Sequence, residues 1–245
     1  MTEILAGRNP VREALRAGRP LNKVLMATHL EGRVIGDIIH LARSQGIPLQ
    51  RVERSLLDKL AGPRHQGVVA MAAAREYVEL EDLVAGAWQQ QEPPFLIMLD
   101  QVEDPRNLGA IIRSAEAAGA HGVIIPSRRT VGLTAAVSRA AAGALEYIPV
   151  ARVTNLSRTI ARIKAEGIWV IGTDSRAEQE AFAADFTVPL VLVLGSEGKG
   201  LSPLVKRHCD FTVSLPMRGR INSLNVATAA TVLMYEVVRQ RNLRR

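Results

Sequence analysis

Residues 95–245 contain five short apolar runs, and these runs constrain the fold more than any other feature of the chain. The runs are FLIMLDQV, GVIIP, WVIGTD, PLVLVLG and FTVSLP. Apolar residues that do not alternate with polar ones are typical of strands buried on both faces of a parallel sheet. Segments with helical spacing separate the runs, namely LGAIIRSAEAAG, TAAVSRAAAGAL, NLSRTIARIKAEG and VATAATVLMYEVVRQRN. This alternation predicts an α/β fold with a mostly parallel sheet.

Charge divides the 245-residue chain into three parts. Residues 1–75 carry a net charge of +6, residues 76–94 carry −5, and residues 95–245 carry +6. The first part alternates helix-like and strand-like pieces and is predicted to be a small α/β domain, with one helix opened by a cap at Ser55. The acidic part ends in QQQEPP, which cannot continue regular structure, and is predicted to be a linker containing one short helix. Residues 95–245 are predicted to be the second domain.

The composition favours an anionic partner. Of the 31 basic residues, 26 are arginine, and the net charge of the chain is +7. A planar guanidinium matches phosphate geometry, so this balance indicates nucleic acid. A solubilising surface with an arginine bias would give the same numbers. Aromatic residues make up only 4% of the chain, which does not indicate a stacking platform for single strands.

Several classes of protein are not indicated. No apolar run reaches the roughly 18 to 20 residues of a membrane span, and the start, MTEILAGRNP, is not typical of a secretory signal. Cys209 is the only cysteine, which excludes an intramolecular disulfide and suits a cytoplasmic protein. It is expected to be a small buried residue rather than a nucleophile. The five histidines are scattered without ligand spacing, so no metal is expected.

The stretch LVLVLGSEGKGLS, residues 190–202, places a glycine loop directly after a predicted strand. Lys199 is followed by glycine rather than by serine or threonine, so the loop is not a phosphate-binding P-loop. The glycine order also reverses that of a dinucleotide fingerprint. Glu197 would repel a phosphate. The loop therefore predicts either a ligand that is not strongly anionic or a tight turn without a ligand.

Two further stretches place polar residues between a strand and a helix. In LDQVEDPRNLGAIIRSAEAAGA, residues 99–120, Asn107 is predicted to cap the helix. Arg113 lies off the apolar stripe, where it could also be a solvated residue paired with Glu116. In SLPMRGRINSLNVATAATVLMYEVV, residues 214–238, Ser223 and two asparagines exceed what one helix cap requires. Ligands of such folds bind beyond the carboxyl ends of the strands, where these loops lie.

The three stretches together resemble a known family. NLGAIIRSAEAAG, LVLGSEGKGLS and LPMRGRINSLNVATAATVLMYE resemble, in order and strand context over residues 95–245, the three motifs of the SpoU family of RNA ribose 2′-O-methyltransferases. This family belongs to the SPOUT superfamily. GRNPVREAL and RHQGVVA resemble the L30e-like RNA-binding domain of its bacterial members. The arrangement is most similar to members that methylate a guanosine of 23S ribosomal RNA.

The resemblance implies a trefoil-knotted methyltransferase domain at residues 95–245 and an RNA substrate-binding domain at residues 1–75. It implies S-adenosylmethionine as cofactor and a homodimer with the site near the subunit interface. The catalytic set that it implies is Asn107, Arg113, Glu197, Ser223 and Asn225. The cofactor-binding set, acting mostly through main chain, is Gly195, Leu215 and Leu224.

The implied roles differ within the catalytic set. Arg113 is expected to act as an electrostatic aid, because a guanidinium holds its proton too strongly to serve as an ordinary base. Glu197 is expected to order Arg113 through an ion pair. Asn107 and Asn225 would orient the ribose hydroxyl, and Ser223 would join their hydrogen-bond network. Ala227 stands where the family motif often has serine, a departure that is expected to be tolerated.

Alternatives remain at this point. A sister enzyme could act on transfer RNA, on another ribosomal nucleotide, or on an adenosine to confer antibiotic resistance. An RNA-binding assembly factor without catalysis is a rival from another class, and a nicotinamide dehydrogenase is disfavoured by the glycine order. The last helix is a candidate dimer interface or ordinary core, through Val232, Leu233, Val237 and Val238.

Overall fold

The computed structural model describes residues 2–73, 76–220 and 223–243, and the chain forms two compact units. Unit 1 comprises residues 1–76 and 133–147, and unit 2 comprises residues 77–132 and 148–245. None of the helices in the described ranges has the length and apolar character that crossing a bilayer requires.

The elements are numbered along the chain. The strands are β1 (Thr2–Ala6), β2 (Leu21–Ala27), β3 (Leu49–Val52), β4 (Val68–Ala73), β5 (Phe95–Leu99), β6 (Gly122–Pro126), β7 (Val150–Val153), β8 (Trp169–Thr173), β9 (Gln179–Glu180), β10 (Leu190–Leu194) and β11 (Phe211–Ser214). The helices are α1 (Arg8–Arg16), α2 (Arg33–Ser44), α3 (Arg54–Ala61), α4 (Leu80–Trp88), α5 (Pro105–Ala117), α6 (Ala135–Ala141), α7 (Leu156–Ala165), α8 (Pro203–His208) and α9 (Val226–Asn242).

Unit 1 contains a four-stranded sheet in the order β1-β4-β2-β3. Strands β2 and β3 are parallel, and β4 is antiparallel to both β1 and β2. Its core is apolar, with fully buried side chains from helices and strands such as Leu15, Val24 and Ile38. The expected cap at Ser55 is not formed, because α3 already begins at Arg54 and its flanking extended residue is Glu53.

Residues 133–147 belong to unit 1, although the sequence analysis places them in the second domain. Arg19 donates hydrogen bonds to Glu3 at 2.5 Å and to Glu146 at 3.1 Å. The Tyr147 hydroxyl donates to Glu13 at 2.9 Å. The bonds of Arg19 to Glu146 and of Tyr147 to Glu13 join residues more than 100 positions apart in sequence, which no local pattern reveals.

The sheet of unit 2 has the order β7-β6-β5-β10-β8-β11-β9, and each pair of neighbours is parallel. This confirms the predicted α/β fold with a mostly parallel sheet. Every residue of β5, β6 and β10 is buried, as their uninterrupted apolar sequences require. The sequence analysis missed β7 and β9, since both are short and lie at the edges, where polar residues are tolerated.

The acidic segment takes part in the core of unit 2. Helix α4 forms where a short helix was expected, and its buried face contributes Leu80, Leu83, Val84 and Ala87. Its acidic side chains lie on the opposite, exposed face. The predicted linker therefore includes an amphipathic helix that belongs to unit 2.

Arg241, in the last turn of α9, joins three parts of unit 2. Its guanidinium donates to the carbonyl oxygens of Pro93 at 2.6 Å, Pro94 at 3.1 Å, Val188 at 2.9 Å and Phe186 at 3.3 Å. Burial without a carboxylate partner lowers the pKa of Arg241 to about 10. The group remains charged at neutral pH, and its hydrogen bonds fix the end of α9 against the segments that precede β5 and β10.

We expect Arg241→Ala to lower the free energy of unfolding by about 3 kcal/mol, because the partly buried carbonyl groups of Phe186 and Val188 lose their guanidinium donor and the end of α9 loses its attachment. Chemical denaturation followed by circular dichroism measures this change. Arg158→Ala is the control, since Arg158 is exposed and its side chain has no partner among the described residues. Equal stability of the two variants would contradict the role assigned to Arg241.

Candidate active site

The first two motifs meet at the carboxyl edge of the unit 2 sheet. Strands β5 and β10 are parallel neighbours in which Leu99 pairs with Leu194, so the loops that follow them lie side by side. The Asp100 amide donates to the carbonyl of Leu194 at 2.8 Å. The buried Asp100 carboxylate accepts from the Ser202 amide at 2.7 Å. Asp100 therefore holds the far end of the glycine loop against the end of β5.

The glycine loop is a tight turn closed by its own backbone. Ser196 and Gly200 exchange two backbone hydrogen bonds of 3.0 Å. A Cβ at Gly195 would lie 2.2 Å from the carbonyl carbon of Gly200 and 2.4 Å from the amide nitrogen of Leu201. Gly198 has a φ of +77°, which favours glycine. The close approach at Gly195 thus comes from the loop itself.

Three polar side chains from the three motifs form a hydrogen-bonded triangle. The Asn107 amide donates to Glu197 Oε1 at 3.1 Å. The Asn225 amide donates to Asn107 Oδ1 at 3.0 Å and also to Glu197 Oε1. Glu197 therefore accepts from both asparagines, and residues 118 positions apart in sequence converge on one carboxylate.

Helix α5 has a different cap from the one that the sequence predicts, whereas α9 is capped by Asn225. Asn107 is not the cap of α5, because Asp104 accepts from the Arg106 amide at 2.8 Å and Pro105 begins the helix. This leaves the Asn107 side chain free to reach Glu197. Asn225 is the cap of α9 and accepts from the Ala227 amide at 2.9 Å. Its side-chain oxygen caps the helix while its side-chain nitrogen joins the triangle.

Arg113 is not part of this triangle. It is exposed, and the described residues contain no ion pair or hydrogen bond of its side chain. The predicted pair between Arg113 and Glu197 is therefore wrong for this structure. Six residues separate Arg113 from Asn107 on α5, which turns its side chain by about 240° around the helix axis.

The remaining predicted residues lie around the third motif. Ser223 and Leu224 are exposed in the segment before α9, and Leu224 is 41% exposed. Leu215 is half-buried directly after β11, and Gly195 is buried. No contact of the Ser223 side chain with the triangle is present among the described residues. The neighbouring Asn222, which the sequence analysis also considered, lies outside them.

An open pocket of about 240 Å³ adjoins the triangle, and its walls include Asn107 and Glu197. Sequence reasoning missed Gln101, Glu103 and Val226 as lining residues. Gln101 has a φ of +63°, a left-handed conformation that is uncommon outside glycine and concentrates at functional loops. No sequence signal marks it, because glutamine has no preference for this conformation.

The pocket does not suit a phosphate. Its lining contains the carboxylates of Glu103, Asp104 and Glu197 and a single cation, Lys199. An anionic ligand would be repelled at this site. The described residues also contain no group of three or more histidine, cysteine or acidic side chains that could hold a metal ion.

Cys209 packs against the core of unit 2. Burial, with a smaller effect of the neighbouring Asp210 charge, raises the pKa of its thiol to about 11. The thiol donates to the carbonyl of Val205 at 3.4 Å. It is therefore protonated at neutral pH, which does not suit a nucleophile.

The fold and site define an α/β protein with a pocket where its parallel strands end and with two amides and a carboxylate beside that pocket. Comparison with known proteins adds the family. Residues 94–235 match the family described as SpoU rRNA methylase, and residues 4–78 match the one described as RNA 2′-O ribose methyltransferase substrate binding. The chain belongs to the SpoU methylase family.

Similar proteins cover nearly the whole chain. YacO of Bacillus subtilis, named for the TrmH family of tRNA/rRNA methyltransferases, is 51% identical over 98% of this chain and 96% of its own length. The SpoU methyltransferase AviRb of Streptomyces viridochromogenes, solved in complex with AdoMet, is 30% identical with a TM-score of 0.82, covering 99% of this chain and 91% of AviRb. An AdoMet-bound rRNA methyltransferase of Sinorhizobium meliloti is 26% identical with a TM-score of 0.79, covering 97% and 87%.

Proposed function

We propose that this protein transfers a methyl group from S-adenosylmethionine to a ribose 2′-hydroxyl of RNA, and that its target is a guanosine of 23S ribosomal RNA. The observation that carries the proposal is the triangle of Asn107, Glu197 and Asn225, of which Asn107 and Glu197 line the pocket. It joins three sequence motifs at one point, which a purely structural arrangement does not require.

The residues present fit S-adenosylmethionine, which is cationic at sulfur and carries no phosphate. The glycine loop brings a carboxylate, Glu197, rather than a phosphate cradle. The residues that would hold the cofactor are Gly195, Leu215 and Leu224, and the exposed Leu224 side chain offers apolar surface for an adenosine. When bound, the cofactor supplies a methyl group on a sulfonium as the electrophile.

The chain's own residues would orient the ribose hydroxyl and ease the loss of its proton. The two asparagines hold Glu197 through Oε1, which leaves Oε2 to accept a hydrogen bond from the hydroxyl. Ser223, in the segment that leads into the Asn225 cap, would add a hydrogen bond to the substrate. Arg113 would contribute positive charge near a target phosphate or the developing alkoxide.

Three further features belong to the proposal. Residues 1–75 would bind the RNA substrate, which the match of residues 4–78 supports. A trefoil knot at residues 95–245 and a homodimer would follow from the family. The exposed Val232 and Tyr235 on α9 support a dimer, whereas Leu233 and Val237 are buried core residues. Light scattering of the full chain tests the dimer.

Transfer of tritiated methyl groups to unmodified 23S ribosomal RNA, compared with unmodified transfer RNA, tests the function. We expect incorporation into ribosomal RNA, and mapping of the modified ribose should identify a guanosine. Incorporation into transfer RNA alone would assign a sister activity. Binding of ribosomal RNA without transfer would assign a non-catalytic assembly factor.

We expect Arg113→Ala to abolish methyl transfer and to leave cofactor binding unchanged, because Arg113 is assigned to the substrate side of the reaction. Its exposure predicts that the substitution leaves the fold intact. Methyl transfer and titration calorimetry with S-adenosylmethionine give the two readouts, with Arg158→Ala as control. A lost affinity for the cofactor would refute this division of roles.

A further inference from the structure

Four loops of unit 1 meet at one edge of its sheet. Ala6 at the end of β1 pairs with Val69, and the neighbouring Val68, at the start of β4, pairs with Met26 of β2. Ala27, at the end of β2, pairs with Val52 at the end of β3. The loops that follow β1, β2 and β3 and the loop that precedes β4 therefore lie in one row.

An arginine lies directly after each of the first three loops, and one lies within the loop that precedes β4. We call the row of Arg8, Arg33, Arg54 and Arg64 the arginine edge. His29 lies in the same row, and the acidic residues of these loops are Glu31 and Glu53, both exposed. Cations therefore outnumber carboxylates at this edge.

The arginine edge differs in its partners from the three arginines at positions 12, 16 and 19. Arg12, Arg16 and Arg19 form ion pairs with acidic residues of the same unit. Among the described residues, Arg33, Arg54 and Arg64 are exposed and have no such pair. Arg8 donates only through Nε, to the carbonyl of Gln66 at 3.2 Å. The arginine edge is thus a row of cations that are not neutralised within unit 1, although Arg43, Arg51 and Arg139 of the same unit also lack an ion pair among the described residues.

Three of these arginines occupy positions that are unfavourable for helix stability. Arg8, Arg33 and Arg54 are the first residues of α1, α2 and α3. None of these helices has an acidic residue in its first turn. A cation at a helix N-terminus is unfavourable, because the backbone dipoles already make that end positive. Stability alone would place acidic residues there.

Hydrogen bonds hold the segments next to the arginines in place, and one of these bonds is buried. The Gly67 amide donates to Nδ1 of the fully buried His65 at 2.8 Å, and His65 Nε2 donates to Asp58 at 3.0 Å. The Arg8 amide donates to the Gln66 side chain at 3.2 Å. These hydrogen bonds join the segment GRNP to the segment RHQG at this edge. They restrict the movement of the backbone that carries Arg8 and Arg64.

We propose that the arginine edge binds the phosphodiester backbone of the RNA substrate. This inference rests on the proposed function and adds to it the surface that unit 1 uses. Arginines present forked donors that match phosphate oxygens. A row of unpaired cations with few aromatic residues is suited to contacts with the RNA backbone rather than with the bases. The edge then positions the RNA without reading its sequence.

Two arginines of one helix provide a matched test. Arg33 begins α2 at the arginine edge, and Arg43 lies near its other end, about 15 Å away along the axis. Both are exposed, and neither has a partner among the described residues. Binding of the full-length Arg33→Gln and Arg43→Gln proteins to unmodified 23S ribosomal RNA is measured over a series of salt concentrations.

The salt slope is the steepness with which the logarithm of the binding constant falls with the logarithm of the salt concentration. We expect Arg33→Gln to lower this slope by about 1 and to lower the affinity by about fivefold at about 0.1 M salt. Adding Arg54→Gln should lower the slope by about 2 in total. Both variants should raise the KM for RNA and leave kcat unchanged. Arg43→Gln should behave as the wild type.

Equal salt slopes for the Arg33→Gln and Arg43→Gln proteins would overturn the arginine edge, even if the wild type methylates RNA. The proposal would also be overturned if the Arg33→Gln protein lost binding to anionic phospholipid vesicles but kept the RNA affinity of the wild type. If the wild type transfers no methyl group to any RNA, the proposed function fails, while the salt slopes still report on the edge.

Discussion

Gly195→Ala is expected to reduce methyl transfer by about 100-fold or more, because the glycine loop cannot close around a side chain at this position. The new Cβ would lie 2.2 Å from the Gly200 carbonyl carbon, a separation that backbone atoms cannot relieve without moving the loop. Movement of the loop displaces Glu197, which lies two residues further on. We therefore expect a weaker affinity for S-adenosylmethionine in titration calorimetry together with slower transfer.

Gly198→Ala is the matched control in the same loop. Gly198 has a positive φ, but nothing lies within 4 Å of the position that a Cβ would take. That substitution should cost only about 1 to 2 kcal/mol of backbone strain, and it should retain cofactor binding. A Gly195→Ala protein with the cofactor affinity of the wild type would show that the loop can relax and that its tight closure is unnecessary.

Asn225→Ala is expected to reduce methyl transfer by about 100-fold, because Asn225 both caps α9 and holds the Glu197 carboxylate. Loss of the cap should also lower the free energy of unfolding by about 1 kcal/mol. Asn225→Asp separates the two roles. Aspartate caps a helix well, but it cannot donate to Glu197 and places a second carboxylate beside it.

The expected result for Asn225→Asp is a stability close to that of the wild type and a methyl transfer rate as low as that of Asn225→Ala. Asn155→Ala is the control for capping alone, because Asn155 caps α7 by accepting from the Arg158 amide at 3.0 Å. It should lose about 1 kcal/mol of stability and no activity. Full activity of Asn225→Asp would remove Asn225 from the catalytic set.

The sequence predicted much of the fold because its central strands have a simple pattern. Strands β5, β6 and β10 are apolar at every position and buried at every position. The final helix was expected over VATAATVLMYEVVRQRN and spans those residues. Edge strands such as β7 and β9 were missed, because polar residues interrupt the apolar pattern where solvent reaches the sheet.

The site was predicted in part. Asn107 and Glu197 follow the neighbouring strands β5 and β10, Asn225 follows β11, which β8 separates from β10, and these three side chains meet. The expected partner of Glu197 was an arginine, whereas the structure pairs it with two amides. That choice depends on the rotation of α5, which the cap at Asp104 and Pro105 sets and which the motif alone does not specify.

The sequence by itself determined the fold class, the family and the loops that carry the chemistry, because these depend on local patterns and on motif order along the chain. Only the tertiary structure decided which atoms meet. It placed residues 133–147 in unit 1, closed the turn of Gly195 onto Gly200, and gathered four arginines along one edge. Each of these depends on strand order, register or helix rotation, which bring together residues that are distant in sequence or leave them apart.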